Sequence, residues 1–267
     1  MTDWSKVILA IEPRSKPDIR AGLAASMDEC CDHAQLNGKL RLAHFLSQLA
    51  HESAGFRYVV EIWGPTAAQK RYEGRTDLGN VSKGDGYRYR GRGLIQNTGR
   101  ANYARLAKVF KVNFEGDPDL MAKFPWAAVS AAEYWRSRNI NAFADADDVQ
   151  RVTRLINGGL TGLADRTERL KRAKHALSDL PGALRSQAAV ETATGKQRAT
   201  QAKVVTGTAV TTQAAHAAPE AANGQWIAVA GVGLALIVIA ALIARKVKEH
   251  RRIATELETA AKETEHG

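Results

Sequence analysis

The sequence predicts a mainly α (α+β) fold: a helical domain with a small loop or β-hairpin insert as one wall of a cleft, then a C-terminal transmembrane helix. Three observations predict it. Apolar residues recur three and four apart through much of residues 1–182, the period of a helix with one buried face. Between Gly64 and Gly93 that period gives way to glycine-punctuated sequence, which reads as loop with short extended pieces. Residues 226–244, WIAVAGVGLALIVIAALIA, carry no charge at all.

In chain order, the N-terminus MTDWSKVILAIEPRSK has an acidic third residue and only a short apolar run, which makes it a poor secretory signal. The spacing then predicts helices over 19–36, 39–52, 100–109, 126–137, 147–156 and 165–177. Adjacent cysteines Cys30 and Cys31 cannot reach ordinary disulfide geometry without strain, so they read as a buried helical pair. In the second helix Leu42, Phe45, Leu46 and Leu49 share one face, and Ser53-Ala54-Gly55 ends it. Glu52 therefore closes a buried helix, with Phe56 and Trp63 close in sequence. The edge of an apolar cleft favours the protonated carboxyl that a general acid needs. In the insert, the Tyr/Arg alternation of residues 87–90 has the period of a strand.

After Pro181-Gly182 the composition changes. Residues 183–225 are Ala, Thr, Gln, Val and Gly with few charges and no aromatic side chain, too little apolar surface to offset ordering, so a flexible linker is expected. Residues 226–244 would span roughly 28 Å as a helix, about the thickness of a bilayer core. Arg245, Lys246, Lys248, Arg251 and Arg252 crowd one flank, and the twenty residues before Trp226 hold no lysine or arginine. The positive side stays in the cytosol. The expectation is a single pass through the lipid bilayer of the inner (cytoplasmic) membrane, the N-terminal domain on the non-cytosolic side and 245–267 a charged cytosolic tail.

The formal charge of +10 implies an anionic partner: nucleic acid, anionic lipid or an acidic cell-wall polymer. The strongest motif is Arg90-Gly91-Arg92-Gly93-Leu94-Ile95-Gln96-Asn97-Thr98, with Asn102 and Tyr103 a turn later. Its glycines allow close backbone approach, and its amides and hydroxyls suit sugars, whose hydroxyls both donate and accept. It lacks the third glycine of a dinucleotide fingerprint and the Gly-Lys-Ser/Thr of a phosphate loop. No nucleic-acid-binding fold accompanies the Tyr/Arg cluster, so no nucleic acid is expected as partner. The reading requires neither cofactor nor metal.

His51-Glu52-Ser53, the GDGYRYRGRGLIQNTGRANY segment and Ile156-Asn157-Gly158-Gly159-Leu160, in this order, resemble glycoside hydrolase family 19, most of all its bacterial and phage endolysin branch. The resemblance covers roughly residues 39–174. It implies a lysozyme-like helical domain that inverts at β-1,4 bonds between N-acetylated amino sugars, in peptidoglycan or alternatively in chitin; a tethered wall-binding module with little catalysis is the other reading. It implies Glu52 as general acid, Gln96, Thr98, Asn102 and Tyr103 as sugar-binding positions, Asn157 as partner of the substrate N-acetyl group, and Arg166 as the cation steadying the acid. Plant members carry a glutamate where this chain has Thr161, which alters their charge network. For the general base, Glu61, nine residues beyond Glu52, resembles the endolysin spacing, and Glu73 sits nearer the plant spacing; Glu61 is preferred.

Overall fold

In a computed structural model of the chain the described residues are 2–215 and 226–266, the side chains of 206–215, 226–234 and 236 excepted. They fall into two units, 1–183 and 184–267.

The first unit is a helical assembly. It opens with α1 (Trp4–Ile11), capped by the Asp3 side chain, which accepts from the Lys6 amide, and continues with α2 (Pro17–Ala34), whose proline fits the first turn. Next come α3 (Lys39–Glu52), the one-turn helices α4 (Ala67–Lys70) and α5 (Asp85–Arg88), then α6 (Arg100–Phe110), α7 (Trp126–Ser137), α8 (Asn141–Asp145), α9 (Val149–Asn157) and α10 (Leu163–Ser178). All of the helices expected from spacing are present. The sequence did not single out α1, because a five-residue apolar run, Val7 to Ile11, all buried, is too short to display a helical period.

Every residue of α3 from Ala43 to Ala50 is buried, so this helix is the axis of the unit. Helix α10 packs along it, α7 lies along α2, and α1 touches α2, α3 and α10. Phe45 of α3 meets Trp135 of α7 edge to face at 5.5 Å; burying one such ring contributes about 1.5–3 kcal/mol. A second cluster of Tyr89, Tyr103, Leu106, Phe114 and Met121 supports the glycine-rich insert.

That insert corrects the strand reading of residues 87–90. Residues 85–88 form α5, and among the described residues there is no strand, only antiparallel bridges pairing Val60 with Arg92 and Arg92 with Asn97. Local bonds decide it. Glu73 accepts the Gly84 and Gly86 amides at the start of α5, Asp85 pairs with Arg100 at 2.6 Å, and Arg90 stacks on the Tyr87 ring three residues back. Cys30 and Cys31 are both free thiols, Cys30 buried.

In the second unit, residues 183–215 belong to a helix, α11 (Leu180–Ala215), where the sequence reading expected flexible linker. This stretch is rich in alanine and lacks proline, so intrinsic propensity favours a helix. A partner supplies the apolar face that the linker reading found missing. Helix α12 (Trp226–His266) runs antiparallel to it, with Arg185 bonded to Glu265 and Glu191 bonded to His250 at 2.6 Å, both of the latter buried. The rest of the expected linker, 216–225, lies outside the described residues. Among the described residues no helix is long and apolar enough to cross a membrane; of the expected span 226–244, the side chains of 226–234 and 236 are outside the description.

One buried histidine makes the first unit acid-sensitive. His44 on α3 is fully buried, its Nε2 2.8 Å from Asp147 Oδ1 and its Nδ1 without a partner among the described residues. A carboxylate can only accept, so Nε2 carries the hydrogen and Nδ1 is a bare lone pair. Burial pushes the imidazole down in spite of the Asp147 bond, because a second N–H would be buried with no acceptor. For Asp147, burial opposes ionisation, but bonds from Lys174 and His44 hold it below the usual carboxylate range. The folded state thus binds fewer protons at His44 than the unfolded chain, whose histidine titrates near about 6.5. This stabilisation is complete above that pH and is lost as pH falls through the lower folded value. Thermal unfolding at pH 7 and 5 should show a larger drop in Tm for wild type than for His44→Gln, which keeps a donor to Asp147 without titrating. Equal drops would exclude His44 as the sensitive group.

Candidate active site

The site begins where α3 ends. Glu52 occupies the last turn, half-buried at 25% side-chain exposure, with Arg166 of α10 beneath it at 1%. Arg166 Nη2 donates to Glu52 Oε1 at 2.5 Å, Nη1 donates to Gln48 Oε1, and Nε donates to the Thr161 carbonyl at 3.3 Å. Gln48 lies one helical turn before Glu52, so both face the same cation. Beside them, His51 Nδ1 and Asp165 Oδ2 are 2.6 Å apart, and Arg169 also donates to Asp165. Burial opposes ionisation of Asp165, but Arg169 and His51 prevail and hold it below the usual range. Gly162 is required here: at φ +74° a side chain there would be strained, and its Cβ would sit 2.3 Å from the His51 ring.

The second candidate carboxylate, Glu61, lies just ahead of the insert. Glu61 Oε1 accepts from Gln69 Nε2 at 2.9 Å and from the Tyr72 hydroxyl at 3.3 Å, and Oε2 accepts the Gly91 amide at 3.0 Å. The Glu61 amide in turn donates to the Gly91 carbonyl. Burial and then the Glu61 charge push the Tyr72 hydroxyl up, which keeps it a donor. Tyr72 and Tyr87 flank Trp63, with ring centroids 6.2 and 5.2 Å away. A Cβ on Gly91 would sit 2.5 Å from Gln96 Oε1, so Glu61 and Gln96 both lie against this glycine. Glu73 is placed differently. Its two oxygens accept the Gly84 and Gly86 amides at 2.6 and 2.9 Å, the task of a carboxylate at a helix start.

Gln96 and Asn102 line a groove of about 460 Å³ together with Tyr134 and Arg138. Asn102 also donates to the Thr98 carbonyl at 2.7 Å, which leaves Thr98 half-buried behind it. Asn157 is exposed at the last turn of α9, where Gly158 at φ +77° ends the helix. Tyr103 differs from its assignment as a sugar-binding residue. It is fully buried, donating to the Arg90 carbonyl at 2.7 Å and accepting from Arg92 at 3.0 Å; its position on α6 turns it into the cluster with Leu106, and burial pushes its hydroxyl up to about 12.

Sequence reasoning missed Gln48 and Tyr134. Gln48 carried a signal, its four-residue offset from Glu52. Tyr134 carried none, because the period of α7 shows a helix but not which side borders a cleft. Its hydroxyl donates to the Leu155 and Ile156 carbonyls at 3.2 and 3.1 Å, tying α7 to the end of α9. Burial and then Arg138 act on that hydroxyl, with the Glu52 charge contributing to its upward shift, and Tyr134 also lines the groove. Among the described residues no cluster of histidine, cysteine, aspartate or glutamate is arranged to hold a metal ion.

No family model matches the chain. A solved bacterial family 19 chitinase superposes with a TM-score of 0.54 at 21% identity, over 64% of this chain and 93% of that one, a likeness of fold. An endochitinase of Arabidopsis thaliana is 32% identical over 121 residues, 45% of this chain and 40% of that protein. A glycosyl hydrolase family 19 domain-containing protein of Haemophilus influenzae is 32% identical over 178 residues, 56% of this chain and 86% of that protein. With that relative matched along most of its length, the chain belongs to glycoside hydrolase family 19 and is a glycoside hydrolase.

Proposed function

We propose that the chain hydrolyses, with inversion, β-1,4 bonds between N-acetylated amino sugars of bacterial peptidoglycan, in the manner of an endolysin. The observation that carries the chemistry is a pair of carboxylates, each held by side chains and backbone built around it. Glu52 gives its proton to the glycosidic oxygen, and Arg166, 2.5 Å away, balances the charge left behind. Glu61, oriented by Gln69, Tyr72 and Gly91, takes a proton from the water that attacks the opposite face of the sugar. Trp63 supplies an apolar face for a sugar ring, Gln96 and Asn102 meet its hydroxyls, and Asn157 takes the N-acetyl group.

The net charge of +10 favours an anionic wall polymer over a neutral one. Chitin is the second reading, supported by the endochitinase name of the Arabidopsis relative. A single membrane pass at 226–244 with the first unit outside the cytosol is supported by the uncharged run and its one-sided basic flank. It requires α11 to leave α12 in the membrane-bound protein, because the Arg185–Glu265 and Glu191–His250 bonds hold residues 185–191 beside the tail. Ile237, Val238, Ile239 and Leu242 are exposed there; three of them are consecutive and so point around the helix instead of along one stripe.

Purified protein should release new reducing ends from peptidoglycan; release from chitin alone would transfer the substrate. Glu52→Gln keeps the size of the side chain but has no proton to donate, and turnover should fall by roughly 10²–10⁴-fold while the melting temperature stays within a few degrees. Wild-type turnover in that variant would remove the assigned acid.

For the base, Glu61→Gln should lower kcat by at least about a hundredfold. Glu73→Gln should cost mainly stability, about 1 kcal/mol, since it removes one acceptor from the start of α5. Steady-state kinetics and melts on both variants decide, and the reverse ranking of kcat would move the role to Glu73.

Protease added outside intact spheroplasts should degrade the first unit of the membrane-bound protein. Protection until the bilayer is broken would contradict the topology.

A further inference from the structure

Arg138 lines the groove that holds Gln96 and Asn102. Its guanidinium lies 3.4 Å from the centroid of the Tyr134 ring. That ring is itself fixed, because its hydroxyl is bonded to the carbonyls at the end of α9. Among the described residues the Arg138 side chain has no carboxylate partner and makes no hydrogen bond, its backbone N–H alone donating to the Arg136 carbonyl, and the residue is exposed at the groove. The neighbouring cations are answered. Arg105, which also lines the groove, reaches Glu133 at 3.3 Å, and the same buried carboxylate takes Arg136 at 2.8 Å and His33 at 2.9 Å. The Tyr134 ring therefore holds one guanidinium over its face, with its N–H donors unused, beside a row of amide and hydroxyl groups.

A planar fork of donors matches a carboxylate two bonds at a time, which a hydroxyl or an acetamide cannot reproduce. Gln96, Asn102 and Ser137 suffice for the neutral groups of a sugar. A chitin chain offers only such neutral groups. A wall glycan adds carboxylates, on the lactyl ether of alternate sugars or on the stem peptide attached to it. We infer that Arg138 is a specificity-determining residue that binds a carboxylate of the wall glycan and so selects peptidoglycan over uncharged N-acetylglucosamine polymers. The inference rests on the peptidoglycan reading above and names the group on the substrate that the groove recognises.

The test uses the full chain and three substrates: intact peptidoglycan, glycan strands stripped of stem peptides by an amidase so that the lactyl carboxylate is free, and the neutral N-acetylglucosamine hexamer. The variants are Arg138→Met, which keeps an apolar stem against Tyr134, and Arg138→Lys, which keeps the charge. The ratio of kcat/KM on a wall substrate to that on the hexamer should fall about tenfold in Arg138→Met, the loss of one charge-assisted contact, and recover at least partly in Arg138→Lys. A fall on stripped strands assigns the lactyl carboxylate, and a fall on intact peptidoglycan alone assigns the stem peptide. An unchanged ratio, or an equal loss on all three substrates in both variants, would overturn the inference while leaving the peptidoglycan reading in place. Wild type that cuts only the hexamer would overturn that reading itself, and the inference with it.

Discussion

The first unit depends on a buried cation. Arg166 is one of the least accessible side chains in the protein, and a guanidinium out of water is costly unless its charge and its donors are matched. All of its matches come from residues that must be brought together: Glu52 and Gln48 from α3, and the Thr161 carbonyl ahead of α10. The cation thus ties α10 to α3 at one register, and Leu46, Leu49, Leu170 and Ala173 of the two helices are buried. Stability and chemistry draw on one interaction here, because the partner left partly open to solvent is the carboxyl assigned as acid.

The same geometry shows how Arg166 is satisfied at Thr161, where the family resemblance implies an altered charge network. Arg166 Nε uses the backbone oxygen of Thr161, which every residue type supplies. Its remaining charge is answered by Glu52, and Gln48 takes a further donor without adding a second negative group. The altered network is therefore completed by main chain and by an amide one helical turn from Glu52.

How much was legible follows from the range of the forces involved. Helices α2, α3, α6, α7, α9 and α10 were read almost to the residue because each has an apolar face long enough to show its period. Motifs single out Glu52, Glu61, Gln96, Asn102 and Asn157 as candidate site residues, and of these the structure brings Gln96 and Asn102 into one groove. What failed was decided by partners distant in sequence or by competing local bonds. Residues 87–90 alternate like a strand, but Glu73 and Arg100 hold the turn before them as a helix. Residues 183–215 lack an apolar face sufficient for themselves, and α12, which supplies one, begins only at Trp226. Tyr103 sits in a motif full of sugar-binding residue types, yet α6 turns it inward; a spacing of one residue from Asn102 is about 100° around a helix, enough to separate groove from core.

Two glutamates in and just ahead of the insert show why residue type and spacing alone cannot assign a base. Glu61 and Glu73 both accept backbone amides, so neither is distinguished by being bonded. The difference lies in what those amides belong to. Glu73 holds Gly84 and Gly86, the start of a one-turn helix, and its bonds are consumed in making that turn. Glu61 holds Gly91, and the opposite side of that glycine is occupied by Gln96. Side-chain donors from Gln69 and Tyr72 fix its other oxygen, and Tyr72 in turn packs near Trp63. One carboxylate thus holds a helix start, and the other holds the glycine against which the groove residue Gln96 lies. A Cβ at position 91 would meet Gln96 Oε1 at 2.5 Å, so glycine there is what lets the amide side chain lie against the backbone that Glu61 holds, a physical content of the Gly-Arg-Gly motif.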